Sequence, residues 1–209
     1  MIKRLEEVCC KIDIDEYTLQ DIALYFEKYD GYILKIELDN GIIETYISKT
    51  ILPHLLGLQY AYANRKDRNS YKGCLGFVKL KNGLINIIDV ENNIKNNNLP
   101  VFWKNVKRRI EYLPMFLNTI QKKTYLKEIS LEKIARKSKL NSMYAIFKMV
   151  YEDDRILYPI LTLKKISNGR LVIETFIVEE DITLLGAQPS LKIKKISLIN
   201  GNKIKQLAA

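Results

Sequence analysis

Three β-prone segments joined by short turns constrain the fold of this chain more than any other feature. They lie within residues 143–180 and read MYAIFKMVYE, RILYPILTLKKI and RLVIETFIVEE. The junctions are Asp153-Asp154 and Ser167-Asn168-Gly169, whose residue types favour tight turns between antiparallel strands. A fourth segment, LKIKKISLI at 191–199, alternates apolar and polar residues as a strand does. The C-terminal third is therefore predicted to form an antiparallel sheet of three to four strands.

The rest of the chain is predicted to be helical around one early hairpin. EYTLQDIALYFEKY (16–29) has the apolar spacing of an amphipathic helix, and GYILKIELDNGIIETYIS (31–48) is typical of a hairpin. Pro100 precedes a long amphipathic helix, VFWKNVKRRIEYLPMFLNTIQKK, which Pro114 is expected to kink. We therefore predict an α+β fold with an N-terminal helix and hairpin, a long central helix and the C-terminal sheet. No linker-like segment is visible, which favours a single domain over 1–209.

Three shorter segments give less definite predictions. KTILPHLLGLQY (49–60) is predicted to be a short helix that Pro53 starts or breaks. CLGFVKLKNGLINIIDVENN (74–93) fits either a second hairpin or a helix followed by a strand. SLEKIARKSK (130–139) reads as a basic helix with Ser130 as its N-cap.

Composition limits the cellular setting. The chain is 47% hydrophobic and 28% charged, as in ordinary soluble proteins. No apolar run approaches the roughly 20 residues of a membrane helix, and MIKRLEEVCCKID lacks the apolar segment of a signal peptide. Cys9, Cys10 and Cys74 fit neither a disulfide framework nor a zinc site. These features predict a cytoplasmic protein with reduced thiols and no membrane partner.

The net charge of +10 favours a polyanionic partner such as nucleic acid. Lysine outnumbers arginine by 26 to 8, however, and isoleucine and asparagine are abundant, as in ENNIKNNN. AT-rich coding would give the same bias, so part of the charge is explained by composition alone.

Motifs for cofactor and metal sites are not found in the sequence. No glycine loop has the spacing of a phosphate-binding motif, and a single histidine excludes a His-His metal pair. Glu152-Asp153-Asp154 and Glu179-Glu180-Asp181 fall at a turn and a strand end, which are ordinary solvated positions. We therefore predict neither a metal nor a cofactor.

The only histidine, His54, precedes a polar and basic stretch, NRKDRNSYKG. In RNA cleavage the ribose 2′-OH loses a proton as it attacks the phosphate, and the leaving 5′-oxygen gains one. A histidine, with a pKa of about 6.5 in water, performs either transfer, while Arg and Lys stabilise the phosphate charge. A lone histidine in an apolar stretch is more often structural, so both interpretations stay open. The predicted catalytic residues here are His54, Arg65 and Lys72, and the predicted nucleic-acid-binding residues are Lys66, Arg68, Tyr71 and, from a hairpin turn, Arg155.

The chain resembles the phage-associated branch of the barnase–EndoU–colicin–RelE nuclease superfold. The resemblance rests on PHLLGLQ (53–59), GFVKLKNGLINI (76–87), FWKNVKRRIEYLPMFL (102–117) and ILYPILTLKK (156–165), within a core of about 15–180 that leaves 181–209 as an extension. It implies a small RNA-cleaving toxin with a helix packed on an antiparallel sheet. It also implies site roles for His54, Gly57, Tyr158, Pro159, Thr162 and Lys164, with Tyr158 in the catalytic set and Thr162 and Lys164 in the binding set.

The first hypothesis is thus a metal-independent, toxin-like ribonuclease that cleaves cellular RNA with His54 as general acid or base. Its expected partners are RNA and an antitoxin or other protein. The alternative is a non-catalytic module of a phage or phage-defence system that binds nucleic acid or protein. A nucleotidyl- or ADP-ribosyl-transferring enzyme ranks lowest, because no cofactor motif supports it.

Overall fold

A computed structural model describes residues 4–62, 65–96, 103–129 and 142–201, without the side chains of residues 65–67 and 184. Contacts divide the chain into two compact units. The first comprises Met1–Asp30 and Ser48–Thr119, and the second comprises Gly31–Ile47 and Ile120–Ala209. Within the described ranges, no helix has the length and apolarity needed to cross a membrane. The helix expected at 130–139 lies outside the described residues.

The first unit is helical. Its helices are α1 Leu19–Glu27, α2 Leu52–Leu55, α3 Arg65–Ser70, α4 Gly73–Lys81, α5 Ile87–Asn96 and α6 Trp103–Thr119, with 3₁₀ turns at Leu5–Glu7, Lys49–Ile51 and Leu58–Tyr60. α1 starts at a reciprocal cap: Asp21 N–H donates to Thr18 Oγ1 at 3.1 Å, and Thr18 N–H donates to the Asp21 carboxylate at 2.8 Å. The predicted early helix is therefore confirmed.

The helix predicted after Pro100 is present as α6, which spans Trp103–Thr119, contains Pro114 and is one of several helices rather than a single central one. Its buried face carries side chains at helical spacing, including Val106, Ile110, Leu113 and Phe116. Proline has no N–H to donate to the preceding turn, so its neighbours must hold the helix together there by packing. The buried Tyr25 hydroxyl of α1 donates to the Pro114 carbonyl at 3.3 Å.

The structure of residues 74–93 differs from both alternatives predicted from the sequence. It forms two helices, α4 and α5, so the hairpin is wrong, and the helix-then-strand version is right only for its first half. Gly83, at φ +68°, ends α4, where its N–H donates to the Leu80 carbonyl and Leu84 N–H to that of Lys79. Asn86 then caps α5 by accepting from Asp89 N–H at 2.7 Å.

The second unit contains a nine-stranded mixed sheet. Its strands are β1 Tyr32–Leu38, β2 Ile42–Tyr46, β3 Tyr125–Glu128, β4 Tyr144–Phe147, β5 Val150–Glu152, β6 Arg155–Lys165, β7 Leu171–Glu179, β8 Ser190–Leu191 and β9 Ile193–Asn200, with a short helix α7 at Thr183–Gly186. The order is β8-β3-β4-β6-β7-β2-β1-β9, with β5 paired to β6. The pairs are antiparallel except for β2–β7, which is parallel.

The expected sheet of three to four antiparallel strands is therefore wrong, although the α+β class holds. The predicted hairpins are present, around Asp39-Asn40-Gly41 and Asp153-Asp154, but they are parts of one larger sheet. β2 adds to β7 through Thr45–Leu171 and Tyr46–Val172, and β9 adds to β1. These pairings join segments that lie far apart in sequence, where no turn chemistry specifies the partner.

The sheet curls back on itself at one corner. β8 and β9 are at opposite ends of the strand order, yet only Lys192 separates them in sequence. Leu191 pairs with Leu126 of β3, and Ile193 pairs with Leu38 of β1. Two residues of chain span at most about 7 Å, so these two edges approach each other there.

A lysine is buried directly after strand β4. Lys148 is 6% exposed, and its ammonium donates to the Lys122 carbonyl and to Thr124 Oγ1, the latter at 3.1 Å. Burial disfavours the charged form and lowers the pKa of Lys148 to about 8.

Candidate active site in the helical unit

The segment that carries His54 is held by its apolar neighbours. Leu52, Leu55, Leu56 and Leu58 are each at most 1% exposed. Pro53 sits in the first turn of α2, where a missing N–H costs nothing. Gly57, at φ +77°, ends α2, and its N–H donates to the His54 carbonyl at 3.0 Å. His54 itself stays partly exposed at the end of this turn.

The imidazole of His54 contacts a buried amide. Gln59 is 4% exposed, and its side-chain Nε2 lies 2.5 Å from His54 Nδ1. An amide nitrogen only donates, so in this orientation Nδ1 accepts and Nε2 of the neutral ring holds the proton. Gln59 Oε1 is buried and has no hydrogen-bond partner among the residues that the structure describes. If the amide is rotated by 180°, this oxygen accepts a hydrogen bond from Nδ1–H, and Nε2 becomes the acceptor nitrogen of the neutral His54 ring.

An arginine from α6 packs against the same turn. A Cβ built on Gly57 would lie 3.3 Å from Arg109 Nη1, so this glycine allows the close approach. The Arg109 guanidinium lies 5.8 Å from the centre of the Tyr60 ring, a cation–π distance. The His54 ring lies 6.4 Å from the same Tyr60 ring. We call His54, Gly57, Gln59, Tyr60 and Arg109 the histidine cluster.

The cluster combines three chemical functions in one turn and one facing helix. His54 can carry a proton, and its ring is held by a fixed amide. Arg109 supplies a permanent positive charge, and Tyr60, 42% exposed, supplies an aromatic face and a hydroxyl. Together these side chains have the chemistry needed to transfer a proton and to stabilise negative charge on a nearby phosphate.

A second aromatic group follows in sequence. The rings of Tyr62 and Tyr71 stack with centroids 3.7 Å apart and planes 6° from parallel. Lys79 Nζ lies 4.2 Å from the Tyr71 ring and donates to Ser70 Oγ at 3.1 Å. We call Tyr62, Tyr71 and Lys79 the tyrosine stack.

Gly76 of α4 lies against both the backbone of Tyr71 and the turn that carries His54. A Cβ on this glycine would lie 2.6 Å from the Tyr71 carbonyl carbon and 2.9 Å from Pro53 Cγ. Only a residue without a side chain permits both contacts. The backbone of Tyr71 and the residue preceding His54 therefore pack on one point of α4.

The predicted site residues of this unit are distributed as follows. Arg65 and Lys66 lie in α3, and their side chains are outside the described part of the chain. Arg68 Nε donates to the Tyr62 carbonyl at 2.7 Å, so it holds the tyrosine stack in place. Lys72 precedes α4 and is exposed, and Tyr71 belongs to the tyrosine stack. The structure brings His54 together with Gln59, Tyr60 and Arg109.

The remaining predicted residues belong to the second unit. Tyr158 of β6 meets the Phe147 ring edge-on, with centroids 6.5 Å apart. Thr162 is 2% exposed, and its Oγ1 makes no hydrogen bond within the described part of the chain. Lys164 Nζ lies 3.7 Å from Glu174 Oε1, and Arg155 Nη1 lies 3.7 Å from Glu180 Oε1. Their assignment to the site stays a prediction.

A model of the phage-Barnase-EndoU-ColicinE5/D-RelE like nuclease4 family matches residues 18–203. The chain belongs to this nuclease family. The matched region contains the histidine cluster and the tyrosine stack, and it runs past the 15–180 core expected from the sequence. The resemblance noted in the sequence is therefore confirmed. Neither a curated protein nor a solved structure gives a significant match to the chain.

Gln59, Tyr60 and Arg109, which the structure places around His54, are not among the candidate site residues predicted from the sequence. Arg109 lies in the basic stretch KNVKRR of the predicted long helix, where no feature of the sequence distinguishes it from its neighbours. In the structure Arg109 is only partly exposed, and its Nη1 is buried. The signal for Gln59 was its distance of five residues from His54 across a glycine, which suits a helix that ends and turns back.

Within the described ranges, no group of three or more His, Cys, Asp or Glu side chains is arranged to hold a metal ion. The three cysteines are exposed and free.

Proposed function

We propose that this chain is a metal-independent endoribonuclease in which His54 transfers a proton during attack of a ribose 2′-OH on the adjacent phosphate. The supporting observation is the histidine cluster, which places a proton carrier, an arginine and a tyrosine around one turn in a chain of a nuclease family. None of these residues depends on a metal for its chemistry.

The reaction would proceed in one displacement. The 2′-oxygen loses its proton and bonds to phosphorus, and the bond from phosphorus to the 5′-oxygen breaks as that oxygen takes up a proton. The products are a 2′,3′-cyclic phosphate and a 5′-hydroxyl end. His54 performs one of the two proton transfers, and Lys72 is proposed to perform the other.

Gln59 is proposed to position the imidazole. Its buried amide can donate to Nδ1 or, turned around, accept from it, so it can serve the ring before and after proton transfer. The unpartnered Oε1 supports this role, because a buried carbonyl oxygen without a partner costs free energy that a ring N–H would recover.

Arg109 is proposed to stabilise the charge that develops on the phosphate oxygens. Its guanidinium is held by Tyr60 and by the close approach at Gly57, so little reorganisation is needed when charge appears. An arginine suits this task because its donors form a planar fork that matches phosphate oxygens.

The biological setting extends this proposal. We propose a toxin-like action on cellular RNA in the cytoplasm, with an antitoxin or another protein as a binding partner. Expression of the wild-type chain in bacteria should then arrest growth, and His54→Ala should relieve the arrest.

The activity is tested with chelator-treated protein and a single-stranded RNA. The expected result is cleavage that leaves 2′,3′-cyclic phosphate ends, together with resistance of the same RNA carrying a 2′-deoxyribose at the cleaved position. If the chelated wild-type protein leaves RNA uncut, or if the deoxyribose substrate is cut equally well, the proposed mechanism is wrong. Salt-sensitive RNA binding without turnover would instead select the non-catalytic module.

A further inference from the structure

A cavity of about 340 Å³ in the helical unit lies next to the tyrosine stack. Its walls come from the stacked tyrosines, from the turn before α5 and from one face of α5, and they include Tyr62, Tyr71, Ile85, Asp89, Asn92 and Asn96. Its volume is in the range of small-molecule sites, roughly 300–1,000 Å³. The residues that line it differ from those of the histidine cluster.

The α5 side of this cavity is one face of the helix. Asp89, Asn92 and Asn96 follow one another at intervals of three and four residues, so their side chains project in one direction. The opposite face is apolar, and Val90 and Ile94 are buried. The asparagine-rich stretch ENNIKNNN, which composition alone could explain, thus contributes amides to a cavity wall.

The start of α5 is fixed. Asn86 and Asp89 form a reciprocal cap, in which Asp89 N–H donates to Asn86 Oδ1 at 2.7 Å and Asn86 Nδ2 donates to Asp89 Oδ2 at 2.6 Å. Asn92 and Asn96 are exposed, and their side-chain amides make no hydrogen bond to another described residue. Their amides are therefore available to a ligand, each with a donor and an acceptor group.

We propose that this cavity binds a single unstacked nucleobase of RNA. A base has an aromatic face, which packs beside the stacked tyrosines, and an edge of donors and acceptors, which amides of α5 can pair. Ile85, 3% exposed, adds an apolar wall. The ring of Tyr71 is held by Tyr62 and Lys79, so it is ordered before a ligand arrives.

The cavity would give the nuclease a base-recognition subsite. Pro53 and Tyr71 pack on the same glycine of α4, so the subsite lies close to the turn that carries His54. This inference rests on the proposed function for its choice of RNA as the ligand.

The test is binding rather than cleavage, with the full chain carrying His54→Ala so that the RNA stays intact. Two labelled RNA hexamers of equal charge are compared by fluorescence anisotropy at one salt concentration, one complete and one in which abasic riboses replace the bases. The complete hexamer should bind about 5- to 150-fold more tightly, the range expected for base stacking on aromatic side chains. Equal affinities would overturn the proposal.

Substitutions then place the base in this cavity. Asn92→Ala should weaken binding of the complete hexamer by about 2- to 12-fold, the range for one hydrogen bond, and leave the abasic hexamer unaffected. Asn105→Ala, the same change at an exposed position of α6, should alter neither. An unchanged affinity in Asn92→Ala, or an equal loss for both hexamers, would overturn the proposal. Base-dependent binding without any cleavage by the wild-type chain would refute the proposed function but keep the subsite.

Tyr62→Leu and Tyr62→Phe test the aromatic wall, because Tyr62 and Lys79 cover the two faces of the Tyr71 ring. The phenylalanine variant keeps the ring and should bind the complete hexamer within about 2-fold of the background protein, whereas the leucine variant should lose most of the preference over the abasic hexamer. Retention of the full preference in Tyr62→Leu would overturn the stacking part of the proposal. Asn92→Ala provides the independent test if the leucine variant does not fold.

Discussion

The buried amide of Gln59 lies 2.5 Å from Nδ1 of His54, the only histidine of the chain. The imidazole comes from α2 and the amide from the 3₁₀ turn that follows Gly57, so the two groups lie on either side of this glycine. Because Gln59 is 4% exposed, the contact is held away from water. This relationship makes His54 an oriented ring at the surface of a rigid segment.

Replacement of Gln59 should change the pH dependence of cleavage. Gln59→Glu places a carboxylate beside the imidazole and favours its protonated form, so the limb of the pH–rate profile that reports His54 should move to higher pH by roughly one unit or more. Gln59→Leu should lower kcat because the ring is no longer positioned. The measurement is kcat/KM from pH 5 to pH 9.

Gln20→Glu is the matched control, since it introduces the same charge on the exposed face of α1. An identical profile for Gln59→Glu and wild type would contradict the role given to this contact.

Arg109 should matter for catalysis more than its neighbour on the same helix. Arg109→Met should reduce kcat/KM by about 100- to 1,000-fold, the usual cost of losing one group that stabilises transition-state charge. Arg109→Lys keeps the charge but loses the planar arrangement of donors, so its kcat/KM should lie between that of Arg109→Met and that of wild type. Arg108→Met removes the same charge from α6 and measures the general electrostatic effect. Equal losses in the Arg108 and Arg109 variants would argue against a specific role.

Gly57 should be sensitive to any side chain. Gly57→Ala puts a Cβ at φ +77° and 3.3 Å from Arg109 Nη1, and a left-handed conformation alone costs about 1–2 kcal/mol. The free energy of unfolding, measured with urea, should fall by that amount. Gly186→Ala is the control, because its Cβ would meet nothing within 4 Å. The prediction fails if both variants are equally stable.

Lys148 should make stability depend on alkaline pH. Its pKa is about 8 in the folded chain, below the ordinary value of 10.5, so the unfolded state binds more protons between these two values. The free energy of unfolding should therefore rise with pH from about 8 to about 10.5, because the cost of the buried charge disappears there. Lys148→Met should lack this pH dependence. The free energy of unfolding of wild type should therefore rise relative to that of the variant between about pH 8 and pH 10.5. If the difference in free energy of unfolding between the two proteins is the same at every pH, the interpretation of Lys148 as a buried, charged lysine is wrong.

Local structure was predictable wherever a pattern or a turn specified it. The helix at 16–29, the hairpin at 31–48 and the long helix around Pro114 follow from apolar spacing and turn residues. The segment at 74–93 was misread because Lys81-Asn82-Gly83 suits a hairpin turn as well as a helix end, and only packing around Gly76 and Leu80 decides between them.

The strand order of the sheet and the composition of the candidate site could not be predicted from the sequence. The pairing of β2 with β7 and of β1 with β9 joins residues far apart in sequence, which local patterns do not encode. For the same reason Arg109, 55 positions after His54, could be seen only as a basic helix residue. Gly57 was noticed through the family resemblance, but its physical role, to admit Arg109, appears only in three dimensions.

The most direct test of the central claim is the single-turnover rate of RNA cleavage by chelator-treated His54→Ala and His54→Asn. Both substitutions remove the proton carrier, and the asparagine keeps a polar group near Gln59. The account predicts a loss of at least about 100-fold in both variants, with RNA affinity and the free energy of unfolding close to wild type. Cleavage by either variant within a few fold of the wild-type rate would contradict it.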